Sequence, residues 1–511
     1  MSAPNASQPS RPIRFVHHGQ VQEVSGVPAT TTVLQWLREA MHCTGTKEGC
    51  AEGDCGACTV VVGERDAQGQ WQQRTVNSCI QLLPTLDGKA LLTVEDVPPA
   101  ASGQLHPCQD ALVQCHGSQC GFCTPGFVMS LWHLYETHDQ APSRGEMADA
   151  LAGNLCRCTG YRPIVDAGQQ MFEAPRVAFD PAPLLQALVT LSAQSDLVYE
   201  GPDPAQPGQT TRFYAPTTLD ALARLRADLP QARLLAGGTD IGLWVTKQFR
   251  ALGDVIYLGR VAALQTIQTV QDANGQTVAL EVGAGVTLED AWSTLAALVP
   301  ALRELWLRFA SPPVRHAGTL AGNLANGSPI GDSAPILLAL GASLVLRRGE
   351  AERVLPLDHF YLDYMRNDLQ PGEWVQSVRI PLPTATPGTV MRAYKLSKRR
   401  DSDISAVCAG FQIRIEGDTI VEARLGWGGM AATAKRASHT EAALLGRPWN
   451  DSTLQAARAA LSQDFQPMTD LRATQDYRLR TARNLLTRFY LETRPLDPLS
   501  ADRTQIWPAH V

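Results

Sequence analysis

Three cysteines fall within one short run, Cys50-Ala-Glu-Gly-Asp-Cys55-Gly-Ala-Cys58, and Cys79 follows some way on. The pattern C-x4-C-x2-C with a distant fourth cysteine is the thiolate spacing of plant-type [2Fe–2S] centres. Each iron takes two thiolates. One tight loop supplies three of the four only where its backbone wraps the cluster with amides turned inward, and Gly49, Gly53 and Gly56 permit the positive φ and close approach this requires. Zinc and structural disulfides are the other uses of such a run, although zinc sites favour two separated C-x2-C pairs.

A second set is Cys120, Cys123, Cys156 and Cys158. Cys120-Gly-Phe-Cys123 stands before Thr124-Pro125, which reads as a cap and first helical residue, with Phe127, Leu131, Leu134 and Tyr135 on one face. The next predicted helix opens on the capping box Ser143 to Glu146, buries Met147, Leu151 and Leu155, and ends at Asn154 to Gly160. Residues two apart point to different sides of a helix, so Cys156 and Cys158 can share a metal only where the helix has ended. Four thiolates then meet at two helix ends as a second cluster; zinc is again the alternative, and the C-x-C half suits it poorly. Cys43, Cys108, Cys115 and Cys408 fit neither set and read as structural.

The elements that must hold these residues follow from pattern. Residues 13–24 read as a hairpin, a helix follows from Thr32 with Thr30 or Thr31 as cap, and strands are expected at Thr59–Val62, Val76–Leu82 and Leu91–Val94 around the turn Asp66–Gly69. That order is a β-grasp. Residues 175–212, punctuated by Pro175, Pro181, Pro183, Pro202, Pro204 and Pro207, read as a linker with room for a short helix at Leu184–Leu191. Beyond it, Leu234, Leu235, Ala236, Gly237, Gly238, Thr239 and Asp240 join a strand to a helix through a glycine pair, an arrangement that cradles anions or simply turns tightly. It is not GxGxxG, so no Rossmann fold is expected. The second small-residue stretch, His316 to Asp332, interleaves Thr319, Gly322, Asn323, Asn326 and Asp332, which suits a dinucleotide pyrophosphate and ribose or, more plainly, turns and caps.

The chain has 511 residues, 44% hydrophobic and 18% charged, enough for several ordinary cores. A net charge of −6 gives no reason to expect a nucleic-acid partner. No run is long and apolar enough for a membrane span, and Ser333–Leu346 suits a buried helix and strand. Met1 to Pro12 lacks an apolar secretory core, and twelve cysteines suit a reducing compartment, so the cytoplasm is expected.

Residues 45–58, 117–126 (Gly-Ser-Gln-Cys-Gly-Phe-Cys-Thr-Pro-Gly) and 153–163 (Gly-Asn-Leu-Cys-Arg-Cys-Thr-Gly-Tyr-Arg-Pro) resemble the two iron–sulfur motifs of the molybdenum hydroxylases, the xanthine dehydrogenase and aldehyde oxidase family. The flavin stretches, Gly426–Met430 and Asp470–Arg478 continue the likeness over roughly residues 13–492. The resemblance implies a multidomain α+β chain. Its parts are a β-grasp [2Fe–2S] ferredoxin domain at 12–97, a helical [2Fe–2S]-binding domain at 98–174, the linker at 175–212, an FAD-binding domain of vanillyl-alcohol-oxidase type at 213–385, and a C-terminal α+β flavoprotein subdomain at 386–495. It implies that residues 234–240 hold the FAD diphosphate, that Phe309 lies beside the isoalloxazine, and that Thr319, Gly322, Asn323, Asn326, Asp332 and Lys395 bind the rest. Gln119 would face the pterin of a partner and Tyr364 the nicotinamide, while Ser402 stands where the family can carry an acid. The large molybdopterin domain is not in this sequence. The expectation is therefore the iron–sulfur/FAD subunit of a xanthine-dehydrogenase-type oxidoreductase, paired with a separate molybdopterin subunit in a heterotetramer of two small and two large subunits, with NAD+ as electron acceptor. No catalytic residue for hydroxylation is expected on this chain. A related aldehyde or N-heterocycle hydroxylase, and a stand-alone electron-transfer protein, are the competing readings; Gln119 and the second cluster favour a hydroxylase.

Overall fold

The computed structural model describes residues 9–101, 103–192 and 196–504. The expectations for Met1–Pro12, in part, and for the chain's end at Val511 lie outside them. Among the described residues the chain forms two compact units, 9–262 with 311–318, and 263–310 with 319–504.

The first unit begins with a five-stranded sheet in the order Gln20–Val24, Ile13–His17, Ala90–Leu92, Thr59–Arg65, Trp71–Asn77, in which Ile13–His17 and Ala90–Leu92 run parallel. This is the expected β-grasp. His18 and Gly19, both at positive φ, make the two-residue turn of its first hairpin. The helical stretch from Val33 is capped by Thr32, neither Thr30 nor Thr31, because Gln35 sits three residues on and completes a capping box with it. It continues as a wider, π-type turn over Trp36–Ala40. The strand at Trp71 ends at Asn77, leaving Cys79 in the turn beyond it.

Helices follow at Pro107–Gln114, Thr124–Thr137, Arg144–Ala150 and Arg162–Gln170 around Phe127, Leu131, Trp132, Met147 and Ile164. Cys123, with no side-chain cap bond, is the cap of the helix expected to be capped by Thr124, because Pro125 lies in the first turn and needs no amide partner. The helix opened by Ser143 stops at Ala150, so Leu155 lies in the loop, half-buried.

The stretch expected to be a linker is built structure. Ala182–Ser192 is a helix whose Leu188 is fully buried, and Leu197–Pro202 pairs with Thr210–Ala215. The prolines misled because they sit where strands tolerate them: Pro202 ends a strand, and Pro204 and Pro207 lie in its turn. Those strands continue into Val255–Tyr257 and Arg233–Leu235, both joined in parallel.

The second unit holds an antiparallel five-stranded sheet, ordered Ile267–Gln271, Thr277–Gly283, Trp374–Pro381, Ser343–Arg348, Ala351–Pro356. Ser333–Leu340, buried along its whole length, is the helix expected before the Ser343 strand. An antiparallel sheet of Thr389–Leu396, Val407–Glu416, Thr419–Gly428 and Lys435–Arg436 follows, and the helices Asp451–Asp464 and Gln475–Thr493 cover it through Phe411, Trp427, Leu461 and Phe489.

Candidate cluster and flavin sites

The structure gathers the eight predicted cysteines into two groups of four. In the first, Cys58 Sγ lies 3.3 Å from Cys79 Sγ, and Cys50 Sγ accepts from the Cys55 amide at 3.3 Å. Among these thiols, hydrogen bonds from Cys55 hold Cys50 down and from Cys79 hold Cys58 down, while the donors Cys55 and Cys79 are pushed up. Such sharing of protons means that the four sulfurs stand too close for all to ionise unless a cation lies among them. A four-thiolate metal centre fits that set.

In the second group, Cys158 and Cys120 place their sulfurs 3.6 Å apart. Burial first, and then the neighbouring Cys156, push Cys123 up to about 12. Burial also acts to raise Cys156, but hydrogen bonds from the hydroxyl and amide of Thr159 outweigh it and hold that thiol below its ordinary value. Cys120 and Cys158 are exposed, as is Gln119.

The two groups are stitched together. The Leu155 amide, one residue before Cys156, donates to the Cys55 carbonyl at 2.9 Å. Asn154 Nδ2 donates to the Gly56 carbonyl at 3.1 Å and to Thr59 Oγ1 at 3.2 Å, while its Oδ1 accepts from Ser130 at 2.7 Å. A Cβ at Gly126 would fall 2.1 Å from the Gly56 carbonyl oxygen, and one at Gly56 2.1 Å from that of Gly153, so these glycines let the backbones touch. Asn154, which no ligand spacing marks, joins the two loops; its sequence signal is its place in the 153–163 motif, two residues before Cys156.

The strand Arg233–Leu235 leads through the glycine pair into the helix Ile241–Thr246. Gly238, at φ +76°, opens the loop. Gly237 has another reason: a Cβ there would meet the Ala317 carbonyl at 1.8 Å, so it serves close packing within its own unit. The helix lies on the first cysteine group. Thr246 Oγ1 donates to the Ala51 carbonyl at 2.7 Å, and a Cβ at Gly242 would lie 2.5 Å from the Ile80 carbonyl.

In the second unit, Thr319 caps the helix Leu320–Asn326, accepting from the Gly322 amide at 3.1 Å. Asn323 Oδ1 is buried with no hydrogen-bond partner among the described residues, a polar atom that suits a bound cofactor. Asn326 is half-buried at the end of that helix. Asp332 and Lys395 meet each other, Nζ donating at 2.7 Å, with both side chains buried. Ser405 Oγ also donates to Asp332, at 2.5 Å. The Lys395 carbonyl accepts from Arg308 at 3.0 Å. What this site presents is a buried ion pair. Ser405 and Arg308 escape sequence reasoning, since no motif marks them. Phe309 is buried and stacks on Trp292, centroids 6.4 Å apart. Tyr364 is exposed and Ser402 has φ +49°. Beyond Lys395, Lys398 and Arg399 are exposed and Arg400 is half-buried.

Four family models match: a 2Fe-2S iron-sulfur cluster binding domain at residues 15–82, a [2Fe-2S] binding domain at 93–169, the FAD binding domain in molybdopterin dehydrogenase at 209–383, and the CO dehydrogenase flavoprotein C-terminal domain at 392–493. The chain is 32% identical to a xanthine dehydrogenase of Emericella nidulans over 89% of its own length and 36% of that protein's. It is 31% identical to aldehyde oxidase 4 of Cavia porcellus over 95% of itself and 40% of that protein. It thus spans little more than a third of the length of these relatives. Among solved structures, a carbon monoxide dehydrogenase chain from Hydrogenophaga pseudoflava superposes with a TM-score of 0.50 at 28% identity, covering 54% of this chain and 94% of that one. No helix among the described residues is long and apolar enough to cross a membrane.

Proposed function

Because this chain belongs to the molybdenum hydroxylase family of iron–sulfur flavoproteins, we propose that it is the iron–sulfur/FAD subunit of a xanthine dehydrogenase, partnered by a separate molybdopterin subunit that converts hypoxanthine and xanthine to urate. When bound, two [2Fe–2S] clusters supply one-electron conduction and FAD supplies the change to hydride chemistry with NAD+. Cys120, Cys123, Cys156 and Cys158 hold the cluster that faces the partner, and exposed Gln119 borders it. Cys50, Cys55, Cys58 and Cys79 hold the inner one. Residues 234–240 serve the FAD diphosphate. Phe309, Thr319, Gly322, Asn323, Asn326, Asp332 and Lys395 serve the remainder of the cofactor, with Lys395 acting as one half of its ion pair.

The observation that carries this reading is the Leu155–Cys55 backbone hydrogen bond of 2.9 Å, which puts the two cysteine groups in direct bonded succession. A tagged chain recovered from its host should bring a molybdopterin protein with it, and the complex should reduce NAD+ with xanthine. Recovery alone, free of any such protein, would sink the subunit assignment. Gly238→Val and Asn323→Ala should lower flavin content while iron stays near about four per chain; retained flavin in both would remove the cradle. An aldehyde hydroxylase is the second reading, favoured by 31% identity to an aldehyde oxidase beside 32% to a xanthine dehydrogenase, and a substrate panel on the same complex separates the two.

A further inference from the structure

One group of metal-binding side chains stands outside both cysteine quartets. His17 ends the first strand and His18 opens the turn that follows. Neighbouring strand residues point to opposite faces, but His18 at φ +50° swings back over His17, and the rings lie 3.9 Å apart at 31°. Cys43, just past the end of the Trp36–Ala40 turn, brings its Sγ to 3.8 Å from His17 Nε2 and 3.5 Å from His18 Nε2.

The other ring nitrogens are already engaged. His17 Nδ1 donates to the Leu91 carbonyl at 3.2 Å. His18 Nδ1 donates to one Asp96 oxygen at 2.7 Å, and the other oxygen lies 3.7 Å from His17 Nδ1. With the protons on Nδ1, both Nε2 lone pairs are turned toward the same sulfur. An outer carboxylate and carbonyl that orient two imidazoles in this way are the usual support of a metal site. His17 is fully buried, Cys43 is half-buried and the His18 side chain is 38% exposed, so the group is open on one side.

We propose that His17, His18 and Cys43 bind a thiophilic divalent cation, zinc by its donor set, with the fourth position left to water. In a tetrahedral zinc centre, Zn–S of about 2.3 Å and Zn–N of about 2.0–2.1 Å hold sulfur and nitrogen about 3.6 Å apart. The separations of 3.5 and 3.8 Å bracket that value. Binding releases the thiol proton to solvent and leaves a thiolate ligand. The ion would fasten the first hairpin turn to the segment that runs into Cys50, already tied to the next turn by the Gly45 amide donating to Glu95 at 2.9 Å.

The test loads the purified iron- and flavin-containing protein with one equivalent of Zn2+ and records the zinc X-ray absorption edge. One sulfur near about 2.3 Å with nitrogen neighbours at about 2.0–2.1 Å is expected. Cys43→Ser and His18→Gln should each weaken zinc binding at least about tenfold, and Asp96→Asn by a similar factor, with iron and flavin contents unchanged. His18 lies in an exposed turn, so its variant keeps the fold. Parental zinc affinity in His18→Gln would overturn the site, leaving only a hydrogen-bonded His–Cys–His group. Zinc with oxygen and nitrogen neighbours alone, or zinc taken up only as iron is lost, would overturn it equally.

Discussion

Cys58 and Cys79 are shut inside the β-grasp part, 1% and 2% exposed, with Cys50 and Cys55 half-buried, whereas Cys120 and Cys158 stand in solvent on loops, with Cys123 half-buried and Cys156 buried. The inner four come mostly from one loop, and a single turn brings the fourth; the outer four come in pairs from two loops that the helices must bring face to face. Equal ligand counts thus sit in unequal settings, the inner four more enclosed than the outer four. A buried centre can exchange electrons only through protein, while an exposed one can meet a partner's surface. On the function proposed above, the outer set would be the entrance and the inner set the relay, with the backbone hydrogen bond from Leu155 to Cys55 lying between them.

The largest effect should come from Cys55→Ser. Iron should fall from about four to about two per chain, with one EPR signal lost and the other kept; loss of both signals would mean that the two sets are divided differently. Next in size is Gly126→Val. Its side chain would press on the Gly56 carbonyl, where a Cβ alone comes within 2.1 Å. Overpacking of this kind costs about 1–3 kcal/mol. The melting temperature should drop, and electron transfer between the clusters should slow; unchanged transfer would show that the contact is not the route. Asn154→Ala removes two donors and strands the Ser130 hydroxyl, and chemical denaturation should report a loss of about 1–3 kcal/mol.

The smallest effect concerns pH. His106 is fully buried, and its Nδ1 accepts from the Cys108 amide at 3.2 Å at the start of the helix Pro107–Gln114. Burial, helped by Arg176, pushes it down to about 4 from an ordinary 6.5. The unfolded chain therefore binds the extra proton first. Stability from this group is whole above about pH 6.5, falls as pH drops toward about 4, and levels off below, with a slope of at most about 1.4 kcal/mol per pH unit. His106→Asn, which keeps a capping acceptor, should flatten that slope in acid unfolding curves. An unaltered slope would place the acid sensitivity elsewhere, leaving the outer quartet's support no more acid-labile than the inner one's.

Much of this was legible in residue order. Ligand spacing picked out the eight cysteines, alternation and turn residues gave the hairpin at 13–24, and Ser143 with Glu146 marked a helix start that the structure retains. The prolines of 175–212 were read as a linker because a proline's local preference says nothing about whether its strand lies at an edge or a turn. Lys395 and Asp332 were each assigned to the flavin, and their pairing was invisible because 63 positions separate them.

By itself, the sequence determined the chemistry available: two four-thiolate sets, two small-residue loops and no apolar span for a membrane. Those depend on residue type and short spacing, which local geometry alone constrains. Only the tertiary structure decided which quartet is the more enclosed, that Asn154 joins the two, that Lys395 is half of an ion pair, and that Cys43 faces two histidines. Burial and contact across many residues arise from packing, and packing is a property of the whole folded chain.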